Sequence, residues 1–342
     1  MFTKNEIETK PFIIAEVGQN HQGDIETAMN YIKIFAEAGA NAVKFQTRSN
    51  KFLFSEDAYN AKYNSDNAFA ETYGEHREHL ELNVEFLPRL KAQCDEYKVK
   101  FMSTPFEEES LKVLVENNVD ILKIASFDLG NLPFIKQIAE TGIPTVMSIG
   151  GGQYQQIESS VHMLEKGIEE ISILHCVSEY PCEYDKLGLN NIEMLINKFP
   201  KHVIGVSDHF NGTLSGPIAY MKGARVFEKH VTLNRAWKGT DHSFALEPEG
   251  FRKFCRDINR VPYMMNPKKA DEIGIEPVFK KLGKSLIAKN NILKGDKIRI
   301  EDLSGKIFSS QFFPVRRSVE VIGKLAKIDI QAGTPIDPEK HL

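Results

Sequence analysis

The chain has 342 residues, of which 42% are hydrophobic and 26% are charged, and its formal net charge at pH 7 is −4. This is the composition of a globular protein, and the length allows a barrel of roughly 250 residues with a small additional domain. The slightly negative charge gives no electrostatic case for binding nucleic acid or an anionic membrane, and no apolar run approaches the roughly 18 residues of a membrane-spanning helix.

The N-terminal segment, residues 1–10, is polar and of mixed charge, without the apolar core of a signal peptide. The cysteines show no CxxC spacing and are interpreted as reduced thiols. They are Cys94, Cys176, Cys182 and Cys255. Both features predict a cytoplasmic protein.

The first predicted element is an apolar strand over 12–15, which ends at Glu16. A glycine-containing loop follows it, and an aspartate caps a predicted helix over 24–38. The next strand, 42–46, leads into a long polar insertion over 47–82. An insertion of that length within a compact domain is usually a lid or a binding loop.

Helices and strands then alternate regularly. The later predicted strands are 101–104, 121–125, 145–148, 171–175, 203–206 and 226–228, and the later helices are 84–97, 107–116, 133–140, 153–165, 190–198, 213–221 and 249–260. Eight strand–helix pairs within about 250 residues predict an α/β protein with a (β/α)8 TIM barrel. A doubly wound open sheet is the alternative, but no GxGxxG motif follows the first strand.

The barrel domain is predicted to span 1–262. Residues 263–281 contain two prolines and little apolar periodicity, and we interpret them as a linker. Short strands and turns then predict a second domain over 282–342. A domain of about 60 residues has only marginal stability from its own core, so we expect it to pack against another surface.

Polar side chains occur at the C-terminal end of every predicted barrel strand. In strand order they are Glu16, Asn20 and His21; Lys44 and Gln46; Ser103 and Thr104; Lys123, Ser126 and Asp128; Ser148; His175, Ser178 and Tyr180; Ser207, Asp208 and His209; and Glu228, Lys229 and His230. Active sites of (β/α)8 barrels lie at this end, whereas inward-facing positions elsewhere in the barrel are mostly aliphatic. The pattern therefore predicts an active site.

The residue types indicate its chemistry. Lys44 and Lys123, with the nearby hydroxyl groups, suit phosphate and carboxylate oxygens, with which they form charge-assisted hydrogen bonds. His209 and His230 can hold one divalent metal ion, although a hydrogen-bonded pair of core histidines explains the two residues equally well in isolation. Glu16 can act as an acid, a base or a further metal ligand. The residues alone predict a metal-dependent enzyme acting on a phosphorylated or carboxylated small molecule.

Six motifs resemble those of the sialic acid synthase family. They are IAEVGQNHQGD at 14–24, VKFQ at 43–46, STPF at 103–106, KIAS at 123–126, GVSDH at 205–209 and EKH at 228–230. The C-terminal segment, with LGKS at 282–285 and VIGK at 321–324, resembles the antifreeze-like (SAF) domain of that family. The resemblance covers the whole chain.

The resemblance implies a reaction in which phosphoenolpyruvate condenses with the open-chain aldehyde of an N-acylmannosamine and phosphate is released. The acceptor is N-acetylmannosamine or its 6-phosphate, and the product is a nonulosonic acid, N-acetylneuraminate or its 9-phosphate. The implied ligands of phosphoenolpyruvate are Lys44, Thr104, Lys123, Ser126, Ser148, Ser178 and Ser207. Gln46, Asp128, Tyr180, Asp241 and Lys284 complete the implied substrate-binding set.

The resemblance also implies that His209 and His230 bind Mn²⁺ or Mg²⁺ and that Glu16 is the acid or base. It further implies a domain-swapped homodimer in which the small domain covers the partner's active site.

Three residues depart from the family pattern. Lys284 stands where many bacterial members have arginine, which keeps the charge but loses the bidentate fork. Asp128 stands where neuraminate synthases have glutamate, and Ser178 where some members have asparagine. These differences leave the acceptor sugar open.

Two further segments, 72–80 and 237–243, together with 282–285, are more similar to the animal-type synthases that use the 6-phosphorylated sugar. That similarity implies a phosphate site at Arg77, His76, His79 or Lys62, although a solvated basic patch explains these residues as well.

Other functions are consistent with the same sequence. A synthase of a modified nonulosonate, legionaminate or pseudaminate, needs only a different acceptor. A Schiff-base aldolase or lyase would use Lys123 or Lys44 as its nucleophile. Another phosphoenolpyruvate-condensing synthase, of the octulosonate type, and an ice- or ligand-binding module on an inactive barrel complete the alternatives.

Overall fold

The computed structural model describes residues 10–342. Residues 1–9 lie outside the described residues, and the prediction that the N-terminal segment 1–10 is not a signal peptide falls mostly on them. The described chain forms two compact units, residues 10–265 and residues 266–342.

The first unit contains a closed barrel of eight strands in chain order, in which every neighbouring pair is parallel. The strands are β1 (Phe12–Gly18), β2 (Ala42–Thr47), β3 (Lys100–Pro105), β4 (Ile121–Ile124), β5 (Thr145–Ser148), β6 (Ile171–Cys176), β7 (Val203–Asp208) and β8 (Val226–His230). Helices alternate with these strands, which confirms the predicted (β/α)8 barrel.

The helices of this unit cover the outside of the barrel and the ends of its strands. They are α1 (Ile25–Glu37), α2 (Asn50–Leu53), α3 (Glu56–Tyr59), α4 (Tyr73–Leu80), α5 (Leu87–Glu96), α6 (Glu108–Glu116), α7 (Leu132–Glu140), α8 (Tyr154–Leu164), α9 (Asn191–Lys198), α10 (Ser215–Met221) and α11 (Pro248–Met265). Short 3-10 helices occur at Val84–Phe86, Ser126–Asp128 and Tyr184–Lys186.

Helix α1 shows how the sequence specifies these elements. The Asp24 carboxylate accepts a hydrogen bond from the Thr27 backbone N–H at 2.7 Å and so satisfies one of the free donors of the first turn. Along the helix, Tyr31, Ile32 and Phe35 are fully buried, and this apolar face packs in the core between the helices and the sheet.

Apolar side chains, one from each strand, fill the barrel interior toward the N-terminal ends of the strands. This layer consists of Ile14, Ala42, Met102, Ile121, Val146, Leu174, Val203 and Val226. Side chains two positions further along a strand face the same way, one layer higher. Glu16, Lys44, Thr104, Lys123 and Glu228 occupy such positions, so the upper layer of the barrel is polar.

Two parts of the first unit differ from what the sequence patterns indicate: the content of the insertion after β2 and the end of the last helix. The insertion after β2 is not an irregular loop, because it contains α2, α3 and α4 and a cluster of aromatic rings and histidines around Tyr73 and His76. Helix α11 continues past the predicted end of the barrel domain at 262 to Met265, with Pro262 inside it. The buried Ile258 and Val261 pack the turn before Pro262 against the barrel, whereas the residues after it, Tyr263 to Met265, are exposed.

The second unit has its own small apolar core. It contains α12 (Pro277–Leu282), an antiparallel pair formed by β9 (Ser285–Ala288) and β10 (Leu303–Lys306), and α13 (Pro338–His341), with 3-10 helices at Ala270–Glu272, Ile300–Asp302 and Val315–Glu320. The predicted linker, 263–281, thus includes parts of two helices. The core consists of Leu286, Ala288, Ile292, Ile298, Val321, Ala326, Ile330 and Ile336. The assignment of this unit as an SAF domain stays a prediction.

Within residues 10–342, no helix combines the length and the apolar character needed to cross a membrane.

Candidate active site

A cavity of about 990 Å³ opens at the C-terminal ends of the barrel strands. The residues of the barrel domain that we predict as acid or base, metal ligands and substrate-binding groups of the condensation all line it. They are Glu16, Lys44, Gln46, Thr104, Lys123, Ser126, Asp128, Ser148, Ser178, Tyr180, Ser207, His209, His230 and Asp241. These residues come from all eight strands or the loops that follow them, so the closure of the barrel is what brings them together.

Two lysines and two glutamates form the floor of this cavity. The Lys44 Nζ lies 2.7 Å from Glu16 Oε2 and 3.6 Å from Glu228 Oε1, and the Lys123 Nζ lies 3.9 Å from the same Glu228 oxygen. All four side chains are at most 5% exposed. Ionic attraction is strong at this depth because little water screens it.

The four charges shift one another's pKa values in different directions. Burial raises the pKa of Glu16 to about 7, and the nearby Glu228 carboxylate adds to this rise, whereas Lys44 opposes it. Glu228 is equally buried, but Lys123 and Lys44 together outweigh that burial and lower its pKa to about 2. Burial lowers the pKa of Lys123, whereas the two carboxylates raise that of Lys44 in spite of its burial. Glu16 is therefore the group of this cluster that titrates near neutral pH.

Hydroxyl groups surround the lysines. Thr104 Oγ1 accepts a hydrogen bond from Lys44 at 3.4 Å, and Ser126 Oγ accepts one from the Gly150 backbone N–H at 3.0 Å. The buried Ser148 hydroxyl has no hydrogen-bond partner in the described part of the chain. A buried hydroxyl without a partner is unfavourable, so this group is available to a ligand.

His209 and His230 lie at the C-terminal ends of β7 and β8, with their ring centroids 5.4 Å apart. The Nδ1 of His209 is 2.7 Å from the Val177 carbonyl, a contact that requires a proton on Nδ1 and leaves Nε2 as a lone-pair donor. The Nδ1 of His230 is buried without a hydrogen bond in the described structure and is 3.7 Å from Asp241 Oδ2. Burial lowers the pKa of both rings, to about 4 for His209, so both are neutral near pH 7.

The remaining predicted residues lie nearer the mouth. Tyr180 is 54% exposed and its ring packs 3.9 Å from that of His209. Asp128 has one oxygen hydrogen-bonded to Asn131 at 3.1 Å and the other buried without a partner among the described residues. Gln46 donates to Glu16 Oε1 at 2.9 Å and thereby fixes the orientation of that carboxylate.

The insertion contributes a second basic region that the strand pattern does not show. Arg48 and Arg77 both line the outer cavity. The Arg48 guanidinium is already paired with Glu81 at 2.9 Å and lies 3.6 Å from the centre of the Phe106 ring. No salt bridge to Arg77 occurs among residues 10–342, and its Nε is buried without a hydrogen bond. Two sequence signals pointed to this part of the cavity: the length of the insertion, and the similarity of segment 72–80 to the animal-type synthases, which implied a phosphate site at Arg77.

Other predicted residues lie outside the cavity. His76 is buried and its Nδ1 accepts a hydrogen bond from the Phe69 backbone N–H at 3.2 Å, so it stabilises the insertion rather than facing a ligand. His79 and Lys62 are exposed and do not line the cavity. Lys284 belongs to the second unit and is also exposed, and its role stays a prediction.

Lys229 and Asp208 are likewise absent from the cavity lining. They form a buried ion pair with each other at 2.7 Å. All four cysteines are free and buried, and Cys176 lines the cavity.

The sequence and the fold of the chain are similar to those of known proteins. The model of the NeuB family matches residues 9–270. The chain is 34% identical to the N-acetylneuraminate-9-phosphate synthase of Drosophila melanogaster over 95% of this chain and 94% of that protein. It is 33% identical to the N,N'-diacetyllegionaminic acid synthase of Campylobacter jejuni over 93% of this chain and 96% of that protein.

A crystal structure of the sialic acid synthetase of Leptospira borgpetersenii, determined in complex with citrate, superimposes with a TM-score of 0.67 at 31% identity. The match covers 78% of this chain and 87% of that one. Family model, curated relatives and fold agree with the motifs described above. The chain therefore belongs to the NeuB family and is a synthase of the sialic acid synthase family.

Proposed function

We propose that the enzyme condenses phosphoenolpyruvate with the open-chain aldehyde of an N-acylmannosamine-type sugar to give a nonulosonic acid and phosphate. The observation that carries this proposal is one cavity that combines two kinds of group. Lys44 and Lys123 with their hydroxyl groups form an anion-binding floor, and the neutral imidazoles of His209 and His230 line the same cavity.

The floor suits phosphoenolpyruvate because that substrate has two anionic groups, a carboxylate and a phosphate, attached to the same carbon atom. Lys44 and Lys123 supply the positive charges, and the hydroxyl groups of Thr104, Ser126, Ser148, Ser178 and Ser207 supply further donors around them. Gln46 lies beside Glu16 at the same level. Substrate oxygens would replace the carboxylate partner of Lys44 and satisfy the Ser148 hydroxyl.

The two histidines fit a divalent ion, Mn²⁺ or Mg²⁺. Both rings are neutral, His209 presents a lone pair on Nε2, and Nδ1 of His230 is buried without a partner among the described residues. No set of three or more His, Cys, Asp or Glu side chains in residues 10–342 forms a metal site, so water and substrate would complete the coordination. A bound ion supplies a Lewis acid for the aldehyde oxygen, where negative charge develops.

Glu16 is the proposed acid or base. Its pKa of about 7 allows it both to give and to take a proton near neutral pH, and its hydrogen bond from Gln46 holds it over the floor.

The acceptor sugar would occupy the outer cavity, lined by Asp128, Tyr180 and Asp241. Arg77 lines this part as well, and its Nε is buried without a hydrogen-bond partner in the described chain, which favours an acceptor with a 6-phosphate. A legionaminate- or pseudaminate-type acceptor is the alternative within the same reaction. We further propose a cytoplasmic, domain-swapped homodimer in which Lys284 of one subunit reaches the sugar bound by the other.

Phosphate release tests the proposal. Full-length enzyme is incubated with phosphoenolpyruvate and Mn²⁺ or chelator, with N-acetylmannosamine, its 6-phosphate and diacetamido-hexoses as parallel acceptors. We expect wild-type enzyme to release phosphate in a metal-dependent way and to prefer the phosphorylated sugar. We expect the Arg77→Ala variant to lose this preference over the free sugar. No release with any acceptor would refute the synthase proposal.

A Schiff-base aldolase is the second candidate, because burial lowers the pKa of Lys123 and so favours the nucleophilic free amine. Inactivation by borohydride in the presence of pyruvate, unaffected by chelator, would favour this candidate instead.

A further inference from the structure

The side chain of Glu228 places a carboxylate at the floor of an otherwise anion-binding cavity. It is 4% exposed and lines the cavity, and its Oε1 accepts a hydrogen bond from Ser207 at 3.0 Å. Its other oxygen, Oε2, is buried and has no hydrogen-bond partner among residues 10–342. A buried carboxylate oxygen without a donor costs free energy, and its charge repels an anionic substrate. Both costs indicate that the group serves the reaction rather than substrate binding.

The geometry relates Glu228 to one atom of the proposed substrate. Its Oε1 lies 3.6 Å from the Lys44 ammonium and 3.9 Å from that of Lys123. In phosphoenolpyruvate, C2 carries both the carboxylate and the phosphate-bearing oxygen. If the two lysines bind these two anionic groups, C2 lies between the lysines and next to the Glu228 carboxylate.

The charge at C2 changes during the reaction. When the C2=C3 electron pair forms the new bond between C3 and the aldehyde carbon, the aldehyde oxygen gains a proton and C2 becomes cationic, sharing the charge with its attached oxygen. Water then adds to C2 and releases a proton. The phosphate leaves with the electron pair of the C2–O bond while the new hydroxyl loses its proton to give the ketone. Positive charge on C2 thus exists only after the carbon–carbon bond begins to form.

We propose that Glu228 is a catalytic group that stabilises the positive charge developing at C2. This inference rests on the proposed function. A fixed carboxylate repels the ground-state anions and attracts the cationic transition state, and such a difference accelerates the chemical step. The contact with Ser207 and the two lysines holds the carboxylate in place before the reaction.

The test is Glu228→Gln in the full-length enzyme with Mn²⁺. Loss of one preorganised electrostatic group lowers kcat by roughly 10²- to 10³-fold, whereas the KM and the calorimetric Kd for phosphoenolpyruvate stay the same or fall, because a repulsive charge is gone. Glu228→Asp keeps the charge but withdraws it by one methylene, so we expect a smaller loss of kcat with binding retained.

Glu107→Gln is the matched control, because Glu107 is as buried as Glu228, caps α6 and does not line the cavity. It should lower the melting temperature and leave kcat and KM within about 3-fold. The inference on Glu228 is overturned, and the proposed function is kept, if wild-type enzyme is active and Glu228→Gln keeps kcat but raises KM. Glu228 would then only position the lysines. A wild-type enzyme that releases no phosphate would overturn the proposed function and this inference with it.

Discussion

The opposite pKa shifts of two neighbouring glutamates show how much a site depends on distances of a few ångströms. Glu16 and Glu228 are both buried, both come from barrel strands and both contact Lys44. Glu228 additionally lies near Lys123 and accepts a hydrogen bond from Ser207, which favours its charged form. Burial dominates for Glu16 instead, so one carboxylate is charged while its neighbour holds a proton up to near-neutral pH.

This difference predicts a pH-dependent effect of Glu16→Gln on stability. The folded-state pKa of Glu16 is raised from 4.5 to about 7, so the folded protein holds a proton that the unfolded chain releases between these pH values. Holding this proton stabilises the folded protein at low pH, and that stabilisation, on the order of 3 kcal/mol in the free energy of unfolding, is lost as the pH rises from about 4.5 to 7. The free energy of unfolding of Glu16→Gln minus that of wild type should therefore be more positive at pH 8 than at pH 5. Denaturant unfolding of both proteins at both pH values measures this difference, and the same difference at pH 5 and pH 8 would contradict the prediction.

A single residue step also decides which side chains of β8 reach the substrate. Glu228 and His230 face the cavity, whereas Lys229 between them pairs with Asp208 on the other side of the sheet. The motif EKH shows three ionisable residues, and its sequence alone does not say which of them point inward. The register with β1, in which Ile14 is opposite Glu228, settles the question.

The insertion between β2 and α5 is the element that sequence patterns described least well. Its helices are short, four to eight residues, so no apolar periodicity develops over a useful length. They are held instead by tertiary contacts, among them the Arg48–Glu81 pair and the rings stacked around His76.

The Arg48–Glu81 pair predicts a non-additive response to substitution. Both side chains are at most 10% exposed, so Glu81→Leu leaves a buried charge on Arg48 and should lower the free energy of unfolding by about 3–5 kcal/mol. The double variant Arg48→Met/Glu81→Leu removes both charges and should recover most of that loss. A double-mutant cycle in denaturant measures the coupling, and additive losses would show that the pair is not an energetic unit.

Close contact between β7 and β8 predicts a second effect at the level of elements. A Cβ on Gly205 would lie 2.2 Å from the Val226 carbonyl oxygen and 2.5 Å from Leu174 Cδ2. Gly205→Ala should therefore destabilise the barrel by roughly 1–3 kcal/mol. Gly250→Ala in α11 is the control, since its nearest neighbour would be 3.5 Å away, and it should be neutral or stabilise by about 0.5–1 kcal/mol. Equal melting temperatures for the two variants would disprove the packing argument.

At the scale of the whole molecule, charge and apolar surface are unevenly distributed. Residues 266–342 contain 15 lysines and arginines against 10 aspartates and glutamates, although the whole chain carries a net charge of −4. Several large apolar side chains are exposed in the segment 263–282, where the chain passes from the first unit to the second. They include Tyr263, Met264, Met265, Val278 and Leu282. Exposed apolar groups of this size are typical of a surface that another subunit covers.

The proposed homodimer follows from this distribution. The chain has a mass of 38.7 kDa, so light scattering of the purified protein should give twice that value. Met264→Lys, on a side chain that is 79% exposed, should shift the protein toward monomer and reduce activity, whereas the exposed Met194→Lys on α9 should not. A monomeric and fully active wild-type protein would rule out a site completed by the partner's Lys284.

The sequence by itself determined the barrel, the order of its strands and the residue types at their C-terminal ends. These features arise from local patterns, apolar runs of strand length alternating with amphipathic helices and polar residues where each run ends. The tertiary structure alone decided which charges meet, because residues as distant in sequence as Glu16 and Glu228 become neighbours only when β1 closes against β8. Pairing, burial and pKa depend on that closure, so the sequence could indicate anion binding by Lys44 and Lys123 and acid–base chemistry by Glu16, but not the charge states of the four floor residues or the part that Glu228 plays among them.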